Sequence, residues 1–158
     1  MRVEIRHNMN IKQITSDEYA AYYANSINAV SDEYSLIEEL EISVHRLIKF
    51  VQNIPMDKFD YRYAEGKWTI KDILLHLIDA ERIFAYRALR FARRDRTPLA
   101  SFDEDAYVIS AGANQRNIQD LLSELATVRQ ATLALFKTFS EEDLLQIGQA
   151  SGQPMSVR

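Results

Sequence analysis

Three histidines and no cysteine leave this chain of 158 residues few places for chemistry. His76, between Leu75 and Leu77, is the best placed of them. An imidazole there could ligate a metal or carry a proton near neutral pH. Metal chemistry needs about three protein ligands and an open position for water or substrate, which one histidine on one helix does not supply. Glu81 follows five residues later, about 140° around a helix from His76, so the two do not converge on one atom. Its direction falls within an apolar face, and a buried carboxylate needs a partner or takes up a proton. Glu81 therefore reads either as a carboxylate bonded to a backbone N–H, an arginine or a tyrosine, or as an acid–base group beside His76. His45 points about 120° away from its helix's apolar stripe and belongs to a solvated face, while His7 lies in a terminal segment. The lack of cysteine excludes disulfides, thiolate ligands and a cysteine nucleophile within this sequence.

The elements that must position these residues are helical almost throughout. Thr15-Ser16-Asp17-Glu18 has capping-box spacing and predicts a short helix over Tyr19 to Val30. Helix A is expected from about Asp32 to Asn53, with Leu36, Leu40, Val44, Leu47, Val51 and Ile54 in one stripe and Pro55 as its stop. Helix B is expected from about Ile70 to Arg93. Thr69 caps it, Asp72 suits the positive end of its dipole, and Ile70, Ile73, Leu74, Leu77, Phe84, Ala88 and Phe91 form its core face. His76 lies on the flank of that face, and Trp68 reads as a hydrophobic staple whose indole N–H meets a carbonyl. Helix C is expected from about Ile118 to Thr138, and Ser140-Glu141-Glu142-Asp143 opens a short helix through about Ile147. The arginines at 82, 87, 90, 93, 94 and 96 point in scattered directions and read as a solvated basic end of helix B, with anion recognition as the alternative. Asp103-Glu104-Asp105 reads as a cap for a short helix and lacks calcium-loop spacing.

The stretch Gly66-Lys67-Trp68-Thr69-x-x-Asp72-x-x-x-His76, continued by Asp79-Ala80-Glu81-Arg82-Ile83-Phe84-Ala85-Tyr86-Arg87, resembles the DinB-like family. The likeness covers roughly residues 30 to 158. It implies an all-α, up-down-down-up four-helix bundle that holds a divalent metal, zinc or nickel, with three histidines. His76 would be the first ligand, and the other two would belong to a later helix that this sequence does not reach. It also implies metal-dependent thiol S-transferase or hydrolase chemistry on a small thiol or other small molecule. Loop lengths agree: the short link from Ile54 to Trp68 makes helices A and B antiparallel, whereas about 23 residues from Arg94 to Arg116 can carry helix C back parallel to B.

Composition bounds the rest. The length suits one domain, with residues 1–30 as an extension and short helix and residues 31–158 as an incomplete bundle. A net charge of −4 gives no general drive toward nucleic acid or anionic membrane. No run of about 18 apolar residues and no secretion signal is present, so a soluble, cytoplasmic protein is expected. Gly152-Gln153-Pro154-Met155-Ser156 reads as a break followed by Ser156 at the N-cap of a further helix. Three amphipathic helices leave an apolar groove where a fourth would lie. A C-terminal segment, a second subunit or a rearranged N-terminal region could close it. A homodimer is the expected partnership, and a non-catalytic domain acting through association is the alternative to an enzyme.

Overall fold

The structure is a computed structural model that describes residues 9–158; His7 lies outside them. A turn of 3-10 helix at Ala21–Tyr23 leads into α1, Ala24–Asn28. The expected helix over Tyr19 to Val30 is thus shortened. Thr15 and Glu18 form one half of a capping box, with Thr15 N–H and Oγ1 each donating to Glu18 Oε1 at 2.9 Å while Glu18 N–H donates to the Thr15 carbonyl at 3.0 Å. What they close is a turn, because Tyr19 pairs with Met155 as an isolated bridge.

Three long helices follow, each started by a cap. α2 runs Leu36–Gln52, opened by the Ser35 and Glu38 capping box, so its start lies four residues later than Asp32. α3 runs Ile70–Ala92 from a Thr69 and Asp72 capping box, as its sequence predicts. α4, Glu104–Ala111, starts on Asp103, whose carboxylate accepts from Ala106 N–H. α5 runs Ile118–Phe136 from Asn117, and α6, Glu141–Leu144, from a capping box of Ser140 with Asp143.

Two layers of core fix the directions. Val44 and Val51 of α2 pack with Leu74, Leu75 and Ile78 of α3 and with Leu121, Leu122 and Leu125 of α5. Leu36, Ile37 and Leu40 join Phe91 and Phe136 in the second cluster. The early part of α2 therefore meets the late parts of α3 and α5. Helices α3 and α5 are parallel to each other and antiparallel to α2, which is the up-down-down order of the sequence expectation. All-α architecture of the four-helix-bundle type results, with one small sheet.

That sheet corrects the reading of the C-terminal residues. β1, Ile147–Ala150, and β2, Gln153–Ser156, form an antiparallel hairpin in which Ile147 faces Ser156 and Ala150 faces Gln153. Ser151 and Gly152, at φ 54° and 75°, make its two-residue turn, the positive-φ pair that matches strand twist. Ser156 caps no helix here; its N–H donates to the Glu18 carbonyl at 2.9 Å. Gly148 sits where an added Cβ would lie 2.0 Å from the Phe91 ring, so the hairpin can cover the end of the core only with glycine at that position.

α3 departs from its expected stripe. Leu74, Leu75, Ile78, Ala88, Phe91 and Ala92 are buried, whereas Ile73, Leu77 and Phe84 are 44%, 37% and 36% exposed. The apolar side of α3 is wider than one partner helix can cover. Leu77 and Phe84 face a cleft of about 510 Å³ between α3 and α5, crossed by Tyr23 and Ile27 of the N-terminal segment and edged by Met155. Among the described residues, the segment from Ile14 to Val30 lines the groove.

Candidate functional site

His76 is held one to two turns inside a tightly specified helix start. Thr69, 1% exposed, has its Oγ1 accepting from Asp72 N–H at 3.0 Å and donating to Asn114 Oδ1 at 2.7 Å. Asp72 accepts from Thr69 N–H and from Asn114 Nδ2, both at 2.9 Å. This network ties the first turn of α3 to the segment preceding α5, as a fully bonded buried polar cluster must. The His76 ring is half-buried and lies 4.9 Å from the Trp68 ring, tilted by 47°. The Trp68 indole N–H donates to Asp105 Oδ1 at 2.9 Å, so its partner is a carboxylate of α4 and not the carbonyl expected from sequence. No hydrogen bond joins the imidazole to any of the described residues.

Glu81 takes the structural course. Arg129 Nε and Nη2 hold its two carboxylate oxygens at 2.7 and 2.9 Å, and Arg129 Nη1 reaches the Leu40 carbonyl at 2.7 Å and Ser43 Oγ at 2.8 Å. One bidentate guanidinium thereby joins all three long helices beneath the cleft. Sequence reasoning left Arg129 out because nothing in the spacing of two positions 48 residues apart marks them as partners. His45 is exposed, as its direction on the helix predicts.

Among the described residues no group of three histidine, cysteine, aspartate or glutamate side chains converges on a point where a metal could sit. His76 by itself does not make a metal site. Its nearest acidic neighbour along the helix, Asp79, pairs with Arg82 at 3.5 Å.

The arginines of α3 divide. Arg82 meets Glu124 at 2.7 Å, Arg90 pairs with Asp95, and Arg94 meets Glu142 at 2.8 Å as well as Asp143. Arg96 reaches the Ile147 carbonyl at 2.9 Å. Arg87 corrects the reading of a solvated face: it is 3% exposed, with Nη2 donating to the Ala100 carbonyl and to Ser151 Oγ.

The sequence profile of the DinB superfamily matches residues 39–158. The chain belongs to the DinB superfamily. A protein of Oceanobacillus iheyensis, provisionally named a metal-dependent hydrolase, is 23% identical over 118 residues, which are 74% of this chain and 67% of that one. Among solved structures the chain is similar to YfiT from Bacillus subtilis, described as a probable metal-dependent hydrolase with an unusual four-helix bundle topology. The TM-score is 0.69 at 17% identity, over 81% of this chain and 78% of YfiT. At that identity the likeness speaks for the fold, and it agrees with the helix directions above. Among the described residues no helix is long and apolar enough to cross a membrane.

Proposed function

We propose that this DinB-superfamily chain serves metal-dependent hydrolysis, or transfer to a thiol, of a small molecule. In this reading His76 contributes one imidazole ligand, and the remaining ligands come from outside the described residues, on a further segment or a second subunit. The observation that carries the reading is His76 itself. It is half-buried beside Trp68 and follows the bonded network at the start of α3, yet no hydrogen bond joins its ring to any of the described residues. A structural histidine in a half-buried position normally spends one nitrogen on a hydrogen bond. The relatives named as metal-dependent hydrolases support the same reading. A bound divalent ion would supply Lewis acidity or an activated water; the described residues do not complete a site for it, so no reaction step is assigned to it.

The test is an assay of ester hydrolysis and of thiol S-transfer with zinc or nickel, on the chain joined to a helix bearing two histidines. Metal-dependent turnover lost in His76→Ala supports the proposal, and which assay responds separates hydrolase from transferase. Turnover indifferent to His76 would overturn it. A second reading, a non-catalytic domain that associates as a homodimer, draws on the exposed Ile73, Leu77 and Phe84 beside the cleft. Sedimentation at micromolar concentration distinguishes it: a compact monomer excludes the dimer.

A further inference from the structure

We infer that the cleft between α3 and α5 is a binding site for an uncharged, largely apolar small molecule. Its volume of about 510 Å³ falls within the range of small-molecule sites, roughly 300–1,000 Å³. Walls rise on several sides: Leu40 comes from α2, Leu77 and Phe84 from α3, Phe136 from α5, Ile27 from α1 and Met155 from β2. Elements distant in sequence thus converge on one apolar space, which a bare helix face does not provide.

The charges in the wall decide what this space accepts. Glu18, Glu81, Arg129 and Arg158 line it, and they are matched pair by pair, with side chains 15% or less exposed in both pairs. Arg129 holds both oxygens of Glu81 through Nε and Nη2, and its Nη1 is spent on the Leu40 carbonyl and Ser43 Oγ. Arg158 gives Nε and Nη2 to Glu18, and Nη2 also reaches the Gln13 carbonyl. A carboxylate entering the cleft would meet guanidinium groups already neutralised, and an ammonium would meet carboxylates already neutralised. Either ion would give up its hydration without gaining a counter-charge. The polar chemistry left in the wall is neutral, namely the hydroxyls of Tyr19, Tyr23, Ser26 and Ser156. Burial raises the Tyr23 phenol above its ordinary value, so it stays a hydroxyl. Such groups suit an uncharged acceptor such as an amide or ester carbonyl.

The cover over the cleft also leaves a way in. Backbone bonds of residues 20–30 are local, from Tyr23 N–H to the Ala20 carbonyl, from Ala29 N–H to Asn25 and Ser26, and from Val30 N–H to Ile27. Among the described residues none joins this stretch to the long helices. Tyr23 meets the bundle through its ring, 6.3 Å from that of Phe84, so lifting the segment breaks side-chain contacts and no ladder of hydrogen bonds.

This inference does not use the metal reading, since His76 does not line the cleft, and its test needs no metal. The full chain is titrated calorimetrically with 4-phenylbutanamide, 4-phenylbutyrate and 4-phenylbutylammonium. The amide is expected to bind roughly 10-fold more tightly than either ion. Ala80→Phe, which narrows the cleft from its α3 wall, is expected to weaken the amide by roughly 5-fold or more, and Ala134→Phe on the exposed side of α5 to leave it unchanged. No saturable binding, an ion that binds as tightly as the amide, or amide binding that survives Ala80→Phe would each overturn the inference. Should Ala80→Phe fail to fold, methyl resonances of the wild type decide: shifts with the amide at Leu77 and Met155 and none at Leu122 of the core support the site. Shifts at neither, or equal shifts at all of them, reject it. Sedimentation separates the other occupant: a dimer that the amide dissociates would show that a second copy fills the cleft, and this too overturns the inference.

Discussion

Protonating Glu18 should loosen the contact between the N-terminal turn and the C-terminal hairpin. Its carboxylate accepts from Arg158 Nε at 2.8 Å and Nη2 at 2.5 Å, and Arg158 Nη2 also reaches the Gln13 carbonyl at 2.7 Å. Burial pushes Glu18 upward, but the bonds from Arg158, Thr15 and Ser156 outweigh it and hold the group at about 2, below the 4.5 of a free side chain. Because the folded value is the lower one, the unfolded chain takes up this proton first. The stability contributed by Glu18 is present in full above pH 4.5 and is lost as pH falls from 4.5 toward 2. Thermal melts from pH 7 to pH 3 should therefore show a smaller fall in midpoint for Glu18→Gln than for the wild type; parallel falls would mean that Glu18 is not the group responsible. Glu81 and Arg87 mark the limits of reading single residues from sequence. The angle of Glu81 on its helix was enough to demand a partner, whereas the identity of that partner, Arg129, depends on tertiary packing. Arg87 looked solvated because its neighbours in sequence are cations on other faces, and only the fold brings Phe102 and Ala100 onto it.

Helix α3 is the element through which both the packing and the site are organised. Its partners cover the Leu74 side, and its Leu77 side borders the cleft. Leu74→Ala should cost about 2–5 kcal/mol through lost burial and a cavity, and Leu77→Ala less than about 1 kcal/mol. Urea midpoints of the two variants check this; equal losses would show that the cleft side is as tightly packed as the core. Gly148→Ala should destabilise by about 1–3 kcal/mol by driving a methyl into Phe91. A neutral substitution would mean that the hairpin does not sit on that ring in solution. The starts of α3 and α6 were legible from explicit caps at Thr69 and Ser140, and that of α5 from apolar periodicity, its cap at Asn117 emerging only in the structure. The hairpin at Ile147–Ser156 was not: its strands are four residues each, too short for alternation to register, and Ser156 has the same side chain whether it caps a helix or ends a strand. The width of the apolar side of α3 was legible in sequence as one stripe, but which edge of it would be covered depends on the parallel placement of α5.

At the scale of the molecule, three helices in up-down-down order leave one long side of the core to the N-terminal segment and the C-terminal hairpin. The cleft lies along that side, lined from α3 by Leu77, Glu81 and Phe84, while His76 stands beside Trp68. In the proposed reading His76 would be one imidazole ligand, and the others would come from outside the described residues, among which no group of three possible ligands converges. Calorimetric titration with zinc tests this most directly, comparing the chain of 158 residues with the same chain carrying an added helix with two inward histidines one turn apart. The account predicts weak binding by the chain itself, a gain on the order of 100-fold or more with the added helix, and loss of that gain in His76→Ala. Tight binding by the chain itself, or a gain that persists in His76→Ala, would contradict it.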